Sequence, residues 1–251
     1  MTVITPVQDE DLDFDHGSFD SAAFTAKSLS SWQSLADVID HTLLKPDATR
    51  DQVENLCDEA IRYRFACAMV NPVWASTAVG LLSGSGVPVG VVIGFPLGAS
   101  LVSTLRQEAA ALTRLGVREL DMVLPIGQLK SGNHHAVHNT IHATAAVAHH
   151  QGALLKVILE TCLLTVEEKL RAAEIAIQAG ADFLKTSTGF STCGATPADV
   201  ALLRGVAGAR SGVKAAGGIR TLADVRALLE AGANRIGASA SVAIVRELGA
   251  E

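Results

Sequence analysis

A chain of 251 residues, 49% hydrophobic and only 4% aromatic, can fill one α/β barrel and does not require a second domain. The net charge is −6, of which −5 falls within residues 1–30, and the near-neutral body offers no basic stripe for nucleic acid. Cys57, Cys67, Cys162 and Cys193 are too scattered for a disulfide framework or a zinc cluster, and no apolar run nears the roughly 18 residues of a membrane span, so a cytoplasmic protein with no membrane partner is expected.

Residues 1–30 hold Asp9, Glu10, Asp11, Asp13, Asp15 and Asp20 against Lys27 and show no sustained period. They read as an N-terminal extension, flexible or laid across the surface, ahead of a domain spanning 31–251. Within that domain short apolar runs recur near 38–44, 67–71, 87–95, 119–124, 154–161, 182–188, 213–217 and 235–238. Stretches with helical spacing separate them, among them 49–62, 101–115, 166–179 and 222–231. Strands alternating with helices imply a parallel sheet, and eight runs in this length predict a closed (β/α)8 TIM barrel in the α/β class. The segments LGVRELD, AGADFLK and AGANRIG repeat one device, a helix ending on Gly116, Gly180 or Gly232 with a strand behind it. Five residues beyond each glycine stand Asp121, Lys185 and Gly237, toward strand ends where barrel enzymes place their chemistry.

Strand alternation sorts the side chains further. In LLKVILE, Lys156 and Glu160 share a face; in ELDMVL, Glu119 and Asp121 do; in FLKTS, Lys185 and Ser187; in VKAAG, Lys214 and Ala216. The apolar partners should face the helices, which turns Asp121, Lys156, Glu160, Lys185 and Lys214 into the barrel. Lys185 and Lys214, on the sixth and seventh strands, then lie one strand spacing apart. Two ammoniums that close depress at least one pKa, and an amine free near neutral pH attacks carbonyl carbon. Asp121 is placed to move protons, while Lys156 is a rival nucleophile ranked as supporting because it sits deeper. The same residues read structurally would be an ion-pair cluster, Lys156 with Glu160 and Lys185 with Asp121.

Three glycine-bearing loops, TSTGF (186–190), AAGGI (215–219) and IGAS (236–239), fall at one end of the predicted barrel and suit a phosphate held on backbone N–H groups, with the Ser239 hydroxyl added. His134, His138 and His142 share a helical face, but with no carboxylate beside them that face reads as solvated rather than metal-binding. Cys193 follows the first glycine loop without a histidine partner and reads as a loop side chain.

Taken together, IDHTLLKP, VNP, GFPLG, ELDMV, FLKTSTGF and KAAGGI resemble the deoxyribose-phosphate aldolases, over about residues 39–241. The resemblance implies a class I aldolase that needs no metal or other cofactor and cleaves 2-deoxy-D-ribose 5-phosphate to acetaldehyde and D-glyceraldehyde 3-phosphate. By position it implies Lys185 as the Schiff-base amine, with Lys214 and Asp121 as its catalytic partners. It implies Gly189, Gly217, Gly218, Gly237 and Ser239 at the phosphate, and Asp40 and Thr42 lining the pocket from the first strand. Phosphosugar and aldehyde substrates are the expected partners, and a homodimer the expected assembly. Three positions depart from the pattern: Met69 stands where many members have cysteine, Phe190 where others have lysine, and Tyr63 is the sole tyrosine, so no tyrosine ends the chain. The rival readings are a lysine-imine lyase for a different phosphosugar, or a phosphosugar-binding protein without catalysis.

Overall fold

A computed structural model describes residues 18–251. Eight parallel strands close on themselves in chain order: β1 (Ile39–Leu43), β2 (Cys67–Val70), β3 (Val89–Ile93), β4 (Glu119–Val123), β5 (Leu154–Ile158), β6 (Phe183–Lys185), β7 (Gly212–Ala216) and β8 (Arg235–Ala238). The connecting helices are α3 (Arg50–Tyr63), α4 (Ala75–Leu81), α5 (Val102–Leu115), α6 (Ile126–Lys130), α7 (His134–His150), α8 (Val166–Gln178), α9 (Pro197–Ala207) and α10 (Leu222–Glu230), with α11 (Ser241–Glu247) after the last strand. The predicted (β/α)8 barrel is therefore the observed architecture, and each predicted strand run contains an observed strand or overlaps it to within a residue.

Local chemistry sets where the helices begin and end. Thr49, Thr165 and Thr221 each accept from a backbone N–H three residues on, while Gln52, Glu168 and Asp224 reach back to the cap, closing three capping boxes. The repeated glycines do end their helices in the left-handed region, with φ of 109° at Gly116, 99° at Gly180 and 110° at Gly232. Between helices and strands lies one continuous apolar layer, built on residues such as Leu120, Met122, Leu155, Val157, Leu184, Val213 and Ile236. These are the outward-facing partners in the alternation, so the polar set is left to fill the barrel.

Residues 1–17 of the acidic segment lie outside the described residues. Its remainder forms helix α1 (Ser21–Ser28), capped by the Asp20 side chain, which lies against α10 and is followed by α2 (Trp32–Ala36) against α11. Phe24 and Leu29 rest on the core, and the Arg204 guanidinium stacks 4.1 Å from the Phe19 ring centroid. On α7, His134, His135 and His142 are exposed and His138 half-buried, with the rings of His138 and His142 stacked at 5.8 Å. Cys193 is exposed. No described helix is long and apolar enough to cross a membrane.

Arg204 closes the outer side of the α9–β7–β8 corner. It donates to the carbonyls of Gly232 at 2.8 Å, Gly208 at 2.7 Å and Ser211 at 3.0 Å, and to Asn234 Oδ1 at 3.2 Å. Burial lowers its pKa to about 10. Replacing Arg204 with Met keeps the stem and strips the donors from these largely buried acceptors. Urea denaturation should show Arg204→Met destabilised by about 2–4 kcal/mol, with the wild-type m-value retained.

Candidate active site

Register brings the polar side chains together at the top of the barrel. Lys185 on β6 pairs with Lys214 on β7, Asp121 on β4 pairs with Lys156 on β5, and Asp40 on β1 pairs with Gly237 on β8. The two lysines converge on one atom: Asp121 Oδ2 accepts from Lys185 Nζ at 2.7 Å and from Lys214 Nζ at 2.7 Å. The other oxygen, Oδ1, accepts from Lys156 Nζ at 3.0 Å. Asp121 itself is 0% exposed. Burial alone would push its carboxyl up, but the surrounding lysine ammoniums outweigh this and hold it well below the usual carboxylate range.

The lysines differ in their company. Lys156 is fully buried and touches three carboxylates, Asp121, Asp40 at 3.3 Å and Glu119 in a short contact. Against the desolvation that opposes charge, these anions raise its pKa well above the ordinary lysine value, so it is a fixed cation. Lys214 lies between Asp40 Oδ2 at 2.5 Å and Asp121 Oδ2 at 2.7 Å. Among the described residues, Lys185 has Asp121 as its one carboxylate partner within ion-pair distance. Burial, which Asp121 offsets only in part and the Lys214 and Lys156 ammoniums reinforce, lowers its pKa to about 8. Lys185 thus combines the fewest carboxylate contacts of the three with a lowered pKa.

A cavity of about 300 Å³ opens above this cluster, with Lys185 and Lys214 in its floor. Thr42 and Met69 form one side; Gly189, Gly217, Gly218, Gly237 and Ser239 form the glycine-rich side, and Lys45 and Arg220 stand in its lining. Phe190 contributes an apolar wall and meets the Phe95 ring edge-on at 5.3 Å. Gly217 (φ +88°) and Gly194 pack backbone to backbone, and a Cβ on Gly194 would lie 2.0 Å from the Gly217 carbonyl oxygen. Two loops can share that side of the cavity only because neither carries a side chain there. Gly237 makes room in another sense, since a Cβ on it would stand 3.0 Å from Lys214 Cε.

Two expected placements differ. Asp40 is not on the cavity wall; it is fully buried one layer down, paired with Lys156, Lys214 and Arg235. Thr42 shares its strand face two residues later and reaches the lining, which is why the two look equivalent in sequence. Glu160 does not pair with Lys156. It lies past the end of β5 in left-handed backbone (φ 56°), and its carboxylate turns to the Thr188 hydroxyl and N–H. Glu119 and Arg235 complete the cluster in its place, Arg235 Nη1 reaching Asp40 at 2.8 Å and Glu119 at 3.4 Å. Glu119 was legible as the partner of Asp121 in alternation; Arg235 precedes Gly237 by two, the same spacing. Asp40, Cys67 and Glu119 have ligand atoms within 4.8 Å of one another, a metal-like spacing, but both carboxylates already face Lys156 and Arg235.

Comparison with known proteins finds aldolases of similar sequence and fold. The profile of the DeoC/LacD family aldolases matches residues 35–247. A deoxyribose-phosphate aldolase from Geobacillus sp. (strain WCH70) is 52% identical over 212 residues, 84% of this chain and 95% of that one. One from Caldanaerobacter subterraneus subsp. tengcongensis is 50% identical over 222 residues, covering 88% and 96%. The structure of a deoxyribose phosphate aldolase from Aeropyrum pernix, described as a tetramer, superposes with a TM-score of 0.84 at 37% identity, covering 91% of this chain and 96% of that one.

A Cβ at Gly237 would crowd the Lys214 stem at Cε and Ala216 at Cβ, so that the lysine held between Asp40 and Asp121 must give by a few tenths of an ångström. Steady-state assay of Gly237→Ala should show turnover reduced by at least about tenfold, the cost of displacing a reacting group by a fraction of an ångström to an ångström. The melting curve should stay within a few degrees of wild type if the lysine stem swings aside.

Proposed function

Given that this chain belongs to the DeoC/LacD aldolase family and is thus a carbon–carbon lyase, we propose that it reversibly cleaves 2-deoxy-D-ribose 5-phosphate to acetaldehyde and D-glyceraldehyde 3-phosphate through an imine on Lys185. The observation that carries the reading is the asymmetry among the buried lysines. Lys185 lies in the cavity floor with a lowered pKa and a single carboxylate partner, Lys214 beside it is held between two carboxylates, and Lys156 is sealed off and held charged by three.

The free amine of Lys185 adds to the C1 aldehyde of the open-chain sugar, and loss of water leaves an iminium. The C3 hydroxyl gives up its proton to Lys214, left neutral by the dehydration, the C2–C3 electron pair moves into the iminium, and glyceraldehyde 3-phosphate departs from the enamine. Protonation at C2 and hydrolysis release acetaldehyde and restore the amine. Asp121, held ionised, is a weak base; its part is to orient Lys185 and Lys214 on one oxygen and to let a proton pass between them. Lys214 serves as the acid for the dehydration and enamine steps. Backbone N–H groups of the loops at Gly189, Gly217 and Gly218, with Gly237 at the end of β8 and the Ser239 hydroxyl after it, supply the phosphate seat, and Thr42 on the adjoining β1 bounds the cavity beside them. Binding the remote phosphate orients the reacting carbons over Lys185.

Incubation with 2-deoxyribose 5-phosphate, borohydride reduction and peptide mass spectrometry should place a two-carbon adduct on Lys185. An adduct on Lys156 or Lys214, or none on folded protein, would overturn the assignment. The pH dependence has a defined sign: below a pKa of about 8 the ammonium predominates, so kcat/KM should fall about tenfold per pH unit on the acid side and level off above it. Initial rates measured from about pH 6 to 10 would locate this limb.

A further inference from the structure

The barrel interior holds more basic groups than acidic ones. Asp40 enters from β1, Cys67 from β2, Glu119 and Asp121 from β4, Lys156 from β5, Lys185 from β6, Lys214 from β7 and Arg235 from β8. Burial first, and then Glu119 and Asp40, push the Cys67 thiol well up, so it adds no charge. Among the described residues, four basic groups thus face three carboxylates, all within a chain of contacts that begins at Arg235 and ends at Lys185.

Arg235 is the group in this cluster that cannot relieve the imbalance, because a guanidinium does not give up its proton in a protein. It takes Asp40 Oδ1 at 2.8 Å and Glu119 Oε1 at 3.4 Å, so that Asp40 Oδ2 alone serves Lys156 and Lys214 and Glu119 Oε2 alone serves Lys156. Its plane lies over Phe183, 5.5 Å from the ring centroid, and its side chain is 15% exposed. The excess of positive charge must therefore be shed by a lysine. Lys156 has three carboxylate contacts, Lys214 has two, and Lys185 has one oxygen that it shares with Lys214.

We propose that Arg235 is a positioning residue for the reaction: by occupying one oxygen of Asp40 and one of Glu119, it leaves the buried cluster one cation richer than its carboxylates, and Lys185, the least paired amine, releases the proton. Arg235 touches no substrate and acts through Asp40 and Lys214 on one path and Glu119, Lys156 and Asp121 on the other. The inference rests on the reading of Lys185 as the nucleophile.

The test is the acid limb of kcat/KM for 2-deoxyribose 5-phosphate, compared across variants on the same substrate so that the titration of its phosphate cancels. Arg235→Met removes the excess cation and should move the limb to higher pH by about one unit, leaving activity near neutrality about tenfold lower and restored in alkali. Glu119→Gln removes an anion from the other side of the balance and should move the limb to lower pH. A merely structural role for either residue lowers the rate at every pH and leaves the limb in place. If Arg235→Met does not fold, Glu119→Gln decides alone, and a limb that is unmoved or moves upward overturns the proposal. An adduct trapped on wild-type Lys185 together with unmoved limbs in both variants overturns this inference while sparing the aldolase reading. No adduct on the folded wild-type protein overturns both.

Discussion

Three lysine amines share the two oxygens of Asp121 in the buried interior beneath the cavity, and the site takes its character from that sharing. A lone carboxylate buried this deeply would be forced toward its neutral form, and a lone buried lysine likewise. Set together they hold one another charged, but unequally, since Asp121 Oδ1 serves Lys156 while Oδ2 is divided between Lys185 and Lys214. The division leaves Lys185 the least compensated cation. In the proposed reaction the amine is set apart by this shortage of partners rather than by a dedicated base.

A closed barrel suits such a cluster. Each strand delivers an inward side chain every second residue, and closure brings β1 and β8 into contact, so Asp40 and Arg235 reach the same interior as residues from the middle of the chain. The apolar partners in each strand are taken up by the helical layer, which fixes the strands and leaves the ion cluster as the filling of the barrel. Buried ionic fillings of this kind add little net stability over an apolar core. Their value here is positional, because an ammonium located by two or three carboxylates has little freedom to wander.

The cavity above the cluster depends on residues that are small. Where β6 and β7 give way to loops, the chain turns on glycines whose backbones touch, and backbone N–H groups become available to an anion without side chains in the way. At Gly237 the missing side chain serves the amine instead, leaving the space that the Lys214 stem fills. The phosphate seat inferred for substrate and the location of the second lysine therefore share one strand end.

Much of this was legible before any fold was in view. Period-two alternation in LLKVILE, ELDMVL and FLKTS follows from the pleat of a strand, so it separated Asp121, Lys156, Lys185 and Lys214 from the apolar layer without any knowledge of neighbours. The same logic overreached at Glu160, because alternation holds only while the strand lasts, and a left-handed residue past the end of β5 turned the carboxylate to Thr188. It could not rank Asp40 below Thr42, since depth in a barrel is set by strand stagger. Nor could it join Arg235 to Asp40, 195 residues apart in sequence, because that pair exists only where the last strand meets the first. Sequence by itself determined the (β/α)8 class, the polar face of each strand and the identity of the paired lysines, all consequences of local periodicity. Only the tertiary structure decided which lysine is short of carboxylates, because charge balance is a property of the closed interior and not of any one strand.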